Sequence, residues 1–574
     1  MLKRSALESP GQPLKRRRPN ALPHITRLSD ELLLRIASFL HINDLASCQS
    51  VSKRFQRVAR DDQIWKALFY ARFVRPRASR IPGLVHAPPS SLHYSSRNSR
   101  WLQDEGLARA AGTKWKELYR LRHNWNRGSC SVKQIIIAEN PPLPPPPIPP
   151  LMIRVYEGLV FTVDPTGGLR VLRPEHKGVP TASLNLYQGS LEFEKYGIPT
   201  ALAIDEDSDV KQAVNVAVGF ENGGFGLYQL DRATGSLPKL TFERSYTGPA
   251  PSAGNSGSQG LMITSMAYCS PYLLTMSSSQ LFTVYRFNRS ADRGNSSTER
   301  DFNKDISISD NRMMHAPKIL SSLRSHTVWP PLSLSLRRSA QKSMIASIVY
   351  AFPLYISGWS VGIQELRFTD DADAVVESRI ATAVPTGFTP FGTTTSGGPS
   401  SVGSPTPPTE GGGGTGIRSR SKSQRNINND TPLAQPSSIS YTHPYLLASH
   451  ADNTLTLYMV KSNAASLSIE PGQRLWGHTS SVSTAQVSGR GKAVSLSKRG
   501  SELRVWELEG GVSERRRLSA SVKVEPQVSP QADASSHWGV EDIGWLGGFD
   551  EEKVVVLREQ DEGRRALIVY DFTL

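Results

Sequence analysis

The chain has 574 residues, 38% of them hydrophobic, with 45 glycines, 40 prolines and a formal charge of +16. That length accommodates two to four domains, and the composition is that of a soluble protein carrying low-complexity insertions. No apolar run approaches the roughly 20 residues that a membrane-spanning helix requires. Cys48, Cys130 and Cys269 lie far apart, without metal-ligand or disulfide spacing, so neither a metal nor another cofactor is expected.

Residues 1–25 form a basic tail with no apolar core of the kind a secretory signal needs. Lys15-Arg16-Arg17-Arg18 beside a proline reads equally as a nuclear-import signal or as a solvated basic tail, which leaves the nucleus and the cytoplasm both open. From residue 28 the pattern turns helical. Leu32, Leu33, Ile36, Phe39 and Leu40 recur at helical spacing, Ser29 is placed to cap the first turn, and Asp30 and Glu31 suit its positive end. A second helix is predicted from Asp44, with Leu45, Cys48, Val51, Phe55 and Val58 on one side; a third starts at Asp61-Asp62, with Ile64, Trp65, Leu68 and Phe69. Three short helices are near the lower size limit for a core, yet the first presents more apolar surface than two such neighbours can cover. The excess predicts a partner helix from another chain.

The run Leu28-Ser-Asp-Glu31-Leu-Leu-Leu-Arg35-Ile36, then Phe39-Leu40, Asp44-Leu45, Val51-Ser52-Lys53-Arg54-Phe55 and Trp65, resembles the F-box. It departs at Ser29, where the family has proline. The resemblance implies docking on the Skp adaptor of SCF-type cullin–RING ubiquitin ligases. Leu28, Leu32, Leu33, Ile36, Leu40, Leu45, Val51 and Trp65 are the expected core and adaptor-facing set, with Trp65 the residue most inclined to pack internally. A helix-turn-helix DNA reader would use the cations Lys53, Arg54, Arg57 and Arg60. That reading is set aside because the connection lacks a glycine turn and the helix lacks a pair of base-reading amides.

Residues 76–100 read as a polar surface loop, and 114–130 as a helix ending in Asn124-Trp125-Asn126-Arg127-Gly128. This ending resembles the segment that leads into the propeller of F-box/WD-repeat proteins. A strand is expected over 131–138, then PPLPPPPIPP at 141–150, a stiff spacer or an SH3-type ligand. Beyond 150, helical periodicity gives way to short alternating runs. Seven of them end on Leu172, Tyr228, Tyr285, Leu366, Tyr458, Trp506 and Tyr570, and each is preceded by a turn. They resemble the third strand of a WD repeat, so seven blades are expected, with six or eight still open and the 131–138 strand closing the ring. The fullest copy holds Gly477-His478 and Trp506, but Gly500 stands where the family places the turn aspartate. His478 is therefore expected to lack its partner. Asp452 occupies that turn position before Tyr458, without an upstream histidine, and His326 reads as a worn Gly-His site. Insertions are expected at 386–440 (with the basic run 418–425), 287–313 and 513–536.

Gly358-Trp359-Ser360-Val361-Gly362 satisfies the nucleophile-elbow pattern, but its continuation GIQELRF is strand-like rather than helical, so a blade turn is expected and no catalytic residue. The fold expected is α plus all-β: a three-helix F-box at 26–73, a linker with a helix at 74–128 and a WD-like propeller at 129–574. The resemblance implies a non-catalytic receptor that binds the Skp adaptor, and through it cullin and RING subunits, and offers a protein target, phosphorylated or not, for ubiquitination. A propeller scaffold without a degradative role, and a chromatin-associated regulator, are the alternatives. No membrane or nucleic-acid partner is expected.

Overall fold

Short helices and antiparallel blades succeed each other in the computed structural model, which divides into units Met1–His123 and Asn124–Leu574. It describes residues 25, 28–74 and 114–138, and 151–573 apart from 166–167, 177–179, 187–196, 207–212, 233–237, 247–261, 288–316, 326–328, 340–342, 355–357, 370–374, 376, 384–433, 464–465, 499, 501, 509–520, 527–542 and 560–564. The basic tetrad at 15–18, the 76–100 loop, the polyproline run, His326 and most of the expected insertions lie outside the described residues.

In the first unit, α1 (Asp30–Ala37), α2 (Ile42–Val51), α3 (Lys53–Ala59) and α4 (Asp62–Phe69) replace the three helices expected. The second predicted helix breaks at Ser52. Its backbone is extended (φ −161°, ψ 162°) and its hydroxyl accepts from Phe55 N–H at 3.2 Å, so Ser52 caps α3 rather than continuing α2. His41, not Asp44, takes the N-cap of α2, and Asp61 caps α4 by accepting from Gln63 N–H. Ser29 occupies the N-cap of α1 without a side-chain cap bond. Leu33, Ala37, Leu45, Val58, Ala59 and Ile64 form the core of this helical group.

The helix α5 (Trp115–Arg127) ends at Gly128, whose φ of +69° is the left-handed value that closes a helix. A Cβ there would lie 2.3 Å from the Lys523 carbonyl oxygen, so only glycine fits. The chain enters a strand at once, Ser129–Ala138, two residues earlier than expected.

Seven sheets come next, and the seven predicted third strands are the third strands of seven blades. Blade 4 has the longest hairpin, Ser343–Leu354 paired with Gly358–Thr369. The last blade is built from Ile543–Phe549, Lys553–Glu559 and Arg565–Asp571, and its outer strand is Ser129–Ala138, antiparallel to Arg565–Asp571. That strand closes the ring and satisfies backbone groups that would otherwise form an open edge. Pro436–Thr442 is the first strand of blade 5, so the 386–440 insertion ends sooner than expected. Ser521–Lys523 and Glu525–Pro526 likewise place strands inside the expected 513–536 insertion.

The propeller core is a series of apolar wedges between neighbouring blades. Phe161 and Val163 of blade 1 meet Val216 and Val218 of blade 2, and Val349 and Ile363 of blade 4 meet Leu446 and Ala448 of blade 5. Alternation along each strand produces this, because side chains on opposite faces serve opposite neighbours.

Candidate partner-binding surface

The helix α1 carries two apolar stripes. Leu33 and Ala37 turn inward, with Leu34 and Leu40 partly buried against the same core. Leu32, Ile36 and Phe39, at i, i+4 and i+7, point outward and are 53%, 43% and 73% exposed. Val51, at the end of α2, is 68% exposed. The guanidinium of Arg35 lies 5.0 Å over the Phe39 ring, limiting that ring's freedom.

The eight residues singled out in the sequence therefore divide. Leu32, Ile36 and Val51 are exposed, Leu28 and Leu40 are partly buried, and Leu33, Leu45 and Trp65 are buried. Trp65 packs edge-on against Tyr119 at 5.5 Å, and its indole N–H donates to the Ala59 carbonyl. Phe39 is the exposed residue missing from that set; its place on the Leu32–Ile36 stripe was the available signal.

The basic stripe on α3 is also divided. Asp30 accepts from Arg54 Nε at 2.8 Å and from an Arg57 guanidinium nitrogen at 2.6 Å, and Arg54 also donates to the Leu28 carbonyl. Hydrogen bonds from Arg54 and then Arg57 hold the Asp30 carboxyl below its ordinary range. The first turn of α1 is thereby tied to α3, and two of the four cations that a phosphate-tracking helix would need are engaged within the unit.

In blade 6, His478 has no hydrogen-bond partner at Nδ1, as expected from Gly500, and is held through its other ring nitrogen. Its Nε2 is hydrogen-bonded to Ser495 Oγ at 2.6 Å, and that hydroxyl oxygen accepts from Trp506 Nε1 at 2.7 Å. On the other side, Nδ1 lies 3.4 Å from Glu502 Oε2 without an aligned hydrogen bond. Glu502, four residues before Trp506, comes near the place that Gly500 leaves empty without supplying the missing hydrogen bond. Burial pushes His478 down to about 4, against the opposing pull of Glu502. Burial raises the Glu502 carboxyl, but Thr479 N–H, Arg504 and the Thr479 hydroxyl outweigh it and bring it to about 2. Serine, histidine and glutamate so arranged look like a hydrolytic triad. Ser495 is fully buried and its hydroxyl is occupied by the tryptophan, so substrate has no access and the group acts as a structural pin.

Asp452 makes a different turn: it accepts from the Thr454 hydroxyl at 2.6 Å and pairs with Arg474 at 2.6 Å. Ser360 lies in the strand Gly358–Thr369, buried, its hydroxyl donating to the Ala383 carbonyl at 3.0 Å. A nucleophile elbow needs a helix after the serine, and here the strand continues to Thr369.

Within the second unit, Asn124 and Trp125 fasten the end of α5 to the ring. Asn124 donates to the Phe572 carbonyl at 2.9 Å and Trp125 Nε1 to the Glu551 carbonyl at 2.8 Å. The indole stacks on Phe572 at 4.0 Å, with Lys492 Nζ 4.7 Å from its centre.

Residues 26–71 match the F-box-like family. Residues 130–573 match the family described as F-box protein pof12 beta-propeller. The chain belongs to that family. This pof12-type F-box protein also shares 37% identity over 102 residues with the F-box protein dre-1 of Caenorhabditis elegans, covering 18% of this chain and 9% of that relative. Against solved propellers the likeness is low. The Cps50 (Swd1) domain of Myceliophteria thermophila gives 9% identity and a TM-score of 0.35, over 76% of this chain and 99% of that one. U3-55K gives 8% identity and 0.37, over 77% and 98%.

Proposed function

We propose that this F-box protein is a target-binding subunit of an SCF-type ubiquitin ligase, docking on the Skp adaptor through Leu32, Ile36, Phe39 and Val51 and holding its target on the propeller. The observation that supports this is four large apolar side chains left to solvent, Leu32 and Ile36 on α1, Phe39 just past its end and Val51 at the end of α2, beside a separate packed core. Fully burying such a side chain contributes about 1.5–3 kcal/mol, so the stripe suits a stable protein interface. The subunit then acts by proximity, raising the target's local concentration at the ubiquitin-charged enzyme without a catalytic group of its own. A pull-down tests the docking: a Leu32→Asp, Ile36→Asp variant loses the adaptor, and full retention overturns the proposal. Nuclear import through Lys15–Arg18 belongs to the same reading. A fluorescent reporter fused to residues 1–25 is expected in the nucleus, and uniform distribution refutes it.

A further inference from the structure

The cations of the first unit are held differently from those of the propeller. Residues 28–123 contain 17 lysines and arginines against 8 acidic residues. Several of these cations rest on aromatic rings rather than carboxylates: Lys66 lies 5.6 Å from the centre of Trp115, and Arg72 5.5 Å from that of Tyr119.

The densest grouping sits where α2, α4 and α5 meet. Lys116 Nζ donates to Gln49 Oε1 at 2.6 Å and lies 5.7 Å from the centre of the Trp65 ring. Arg120 is one turn further along α5 on the same face, and is exposed. Arg60, also exposed, is next to Ala59, whose carbonyl accepts the Trp65 indole N–H at 2.8 Å, so it borders the same ring. Among the described residues no carboxylate pairs with Arg60, Lys116 or Arg120. Burial, and then the charges of Arg60 and Arg120, draw the Lys116 ammonium below its ordinary range.

We infer that Arg60, Lys116 and Arg120 form a preorganised anion-binding surface that takes an acidic or phosphorylated peptide segment of a protein partner. Two features make it a site rather than a solvated face. Lys116 is fixed by an amide and a ring, so little side-chain entropy remains to be lost on binding. The buried Trp65 ring beneath Lys116 fixes where that ammonium stands. Guanidinium groups match carboxylate and phosphate oxygens in a fork geometry, which Arg60 and Arg120 can supply beside the point charge of Lys116. Nucleic acid fits less well, because Asp30 engages Arg54 and Arg57 and interrupts the track of cations along α3 that successive phosphates require.

The surface is separate from the Leu32–Phe39 stripe, and its test does not depend on adaptor docking. The full chain is titrated by fluorescence anisotropy with a glutamate-rich dodecapeptide, a doubly phosphorylated peptide, a neutral serine–glycine peptide and a single-stranded DNA dodecamer. Saturable binding of either anionic peptide, weakened at least tenfold by Arg60→Glu, Arg120→Glu and less than twofold by Lys318→Glu, Arg324→Glu on a propeller strand, supports the inference. The milder Arg60→Gln, Arg120→Gln variant is expected to fall between, which guards against a folding defect in the reversal. Leu32→Asp, Ile36→Asp is expected to leave peptide affinity unchanged. Equal weakening by the propeller pair, absence of saturable peptide binding, or tighter binding of the DNA overturns it.

Discussion

Replacing Glu365 by glutamine should loosen the seam between blades 4 and 5. The carboxylate is fully buried on the third strand of blade 4. It pairs with Arg337 at 2.9 Å and Arg379 at 3.4 Å, and accepts from the Ser462 hydroxyl of blade 5 at 2.6 Å. Arg367 and Arg379 add bonds to the Asn463 carbonyl, at 2.6 and 2.8 Å. Three arginines thus share Glu365 and the half-exposed Glu377. Glutamine keeps the shape but removes the charge, leaving arginines only 11–19% exposed with a single carboxylate among them. Breaking a buried pair from one side costs about 3–5 kcal/mol. The arginines' residual exposure places this case near about 3 kcal/mol, roughly a hundredfold in an opening equilibrium. Native-state hydrogen exchange reads it directly: amides of Gly358–Thr369 and Glu377–Thr382 should exchange about a hundred times faster, while those of blade 1 keep their rates. Replacing Glu365, Arg337 and Arg379 together by leucine or methionine should recover much of the loss, since a well-packed apolar substitute leaves no orphan charge. Unchanged exchange in Glu365→Gln would refute the reasoning.

Acid should weaken blade 6 in two overlapping stages. Between pH 6.5 and about 4 the unfolded chain takes up a proton that the buried imidazole of His478 refuses, so stability falls as the pH drops; from 4.5 to about 2 the unfolded carboxylate of Glu502 is again protonated first, and stability falls further. A denaturant titration at each pH should show a flatter upper stage in His478→Gln, and an unaltered slope there would count against this assignment. Trp125→Ala removes a buried ring stacked on Phe572 and should destabilise the second unit by about 3–5 kcal/mol, measured as a lowered denaturation midpoint; a loss under about 1 kcal/mol would mean that the fastening contributes little.

Much of this architecture was legible because short-range patterns carry it. The seven third strands were recognisable by alternation closed with an aromatic or leucine, and the closing strand by its Ile135–Ile137 run. Helical spacing marked the surplus of apolar residues on α1, but not which stripe would face outward. That depends on where α3 and α4 pack, and three consecutive leucines look alike from any single helix. The break at Ser52 was missed because the apolar positions continue through it at compatible spacing, whereas the serine's hydroxyl serves the next helix. Glu502 was missed because it lies two residues downstream of the usual aspartate position, and its side chain comes near the histidine without bonding it. The Glu365 network joins residues 337, 365, 379 and 462, and no local pattern relates them.

The ring closure also sets a timetable for synthesis. Ser129–Ala138 leaves the ribosome with its edge unmatched, and its partner Arg565–Asp571 follows 427 residues after Ala138. At about 5–20 residues per second the wait is roughly 20–90 seconds. Throughout it, a strand rich in isoleucine is available to any other unpaired edge that it meets. The proline run just beyond it, at 141–150, lacks the amide hydrogens that would let a mistaken pairing spread along the chain. Assembly of this propeller is a race between its own last blade and its neighbours, and the prolines narrow the front on which it can be lost.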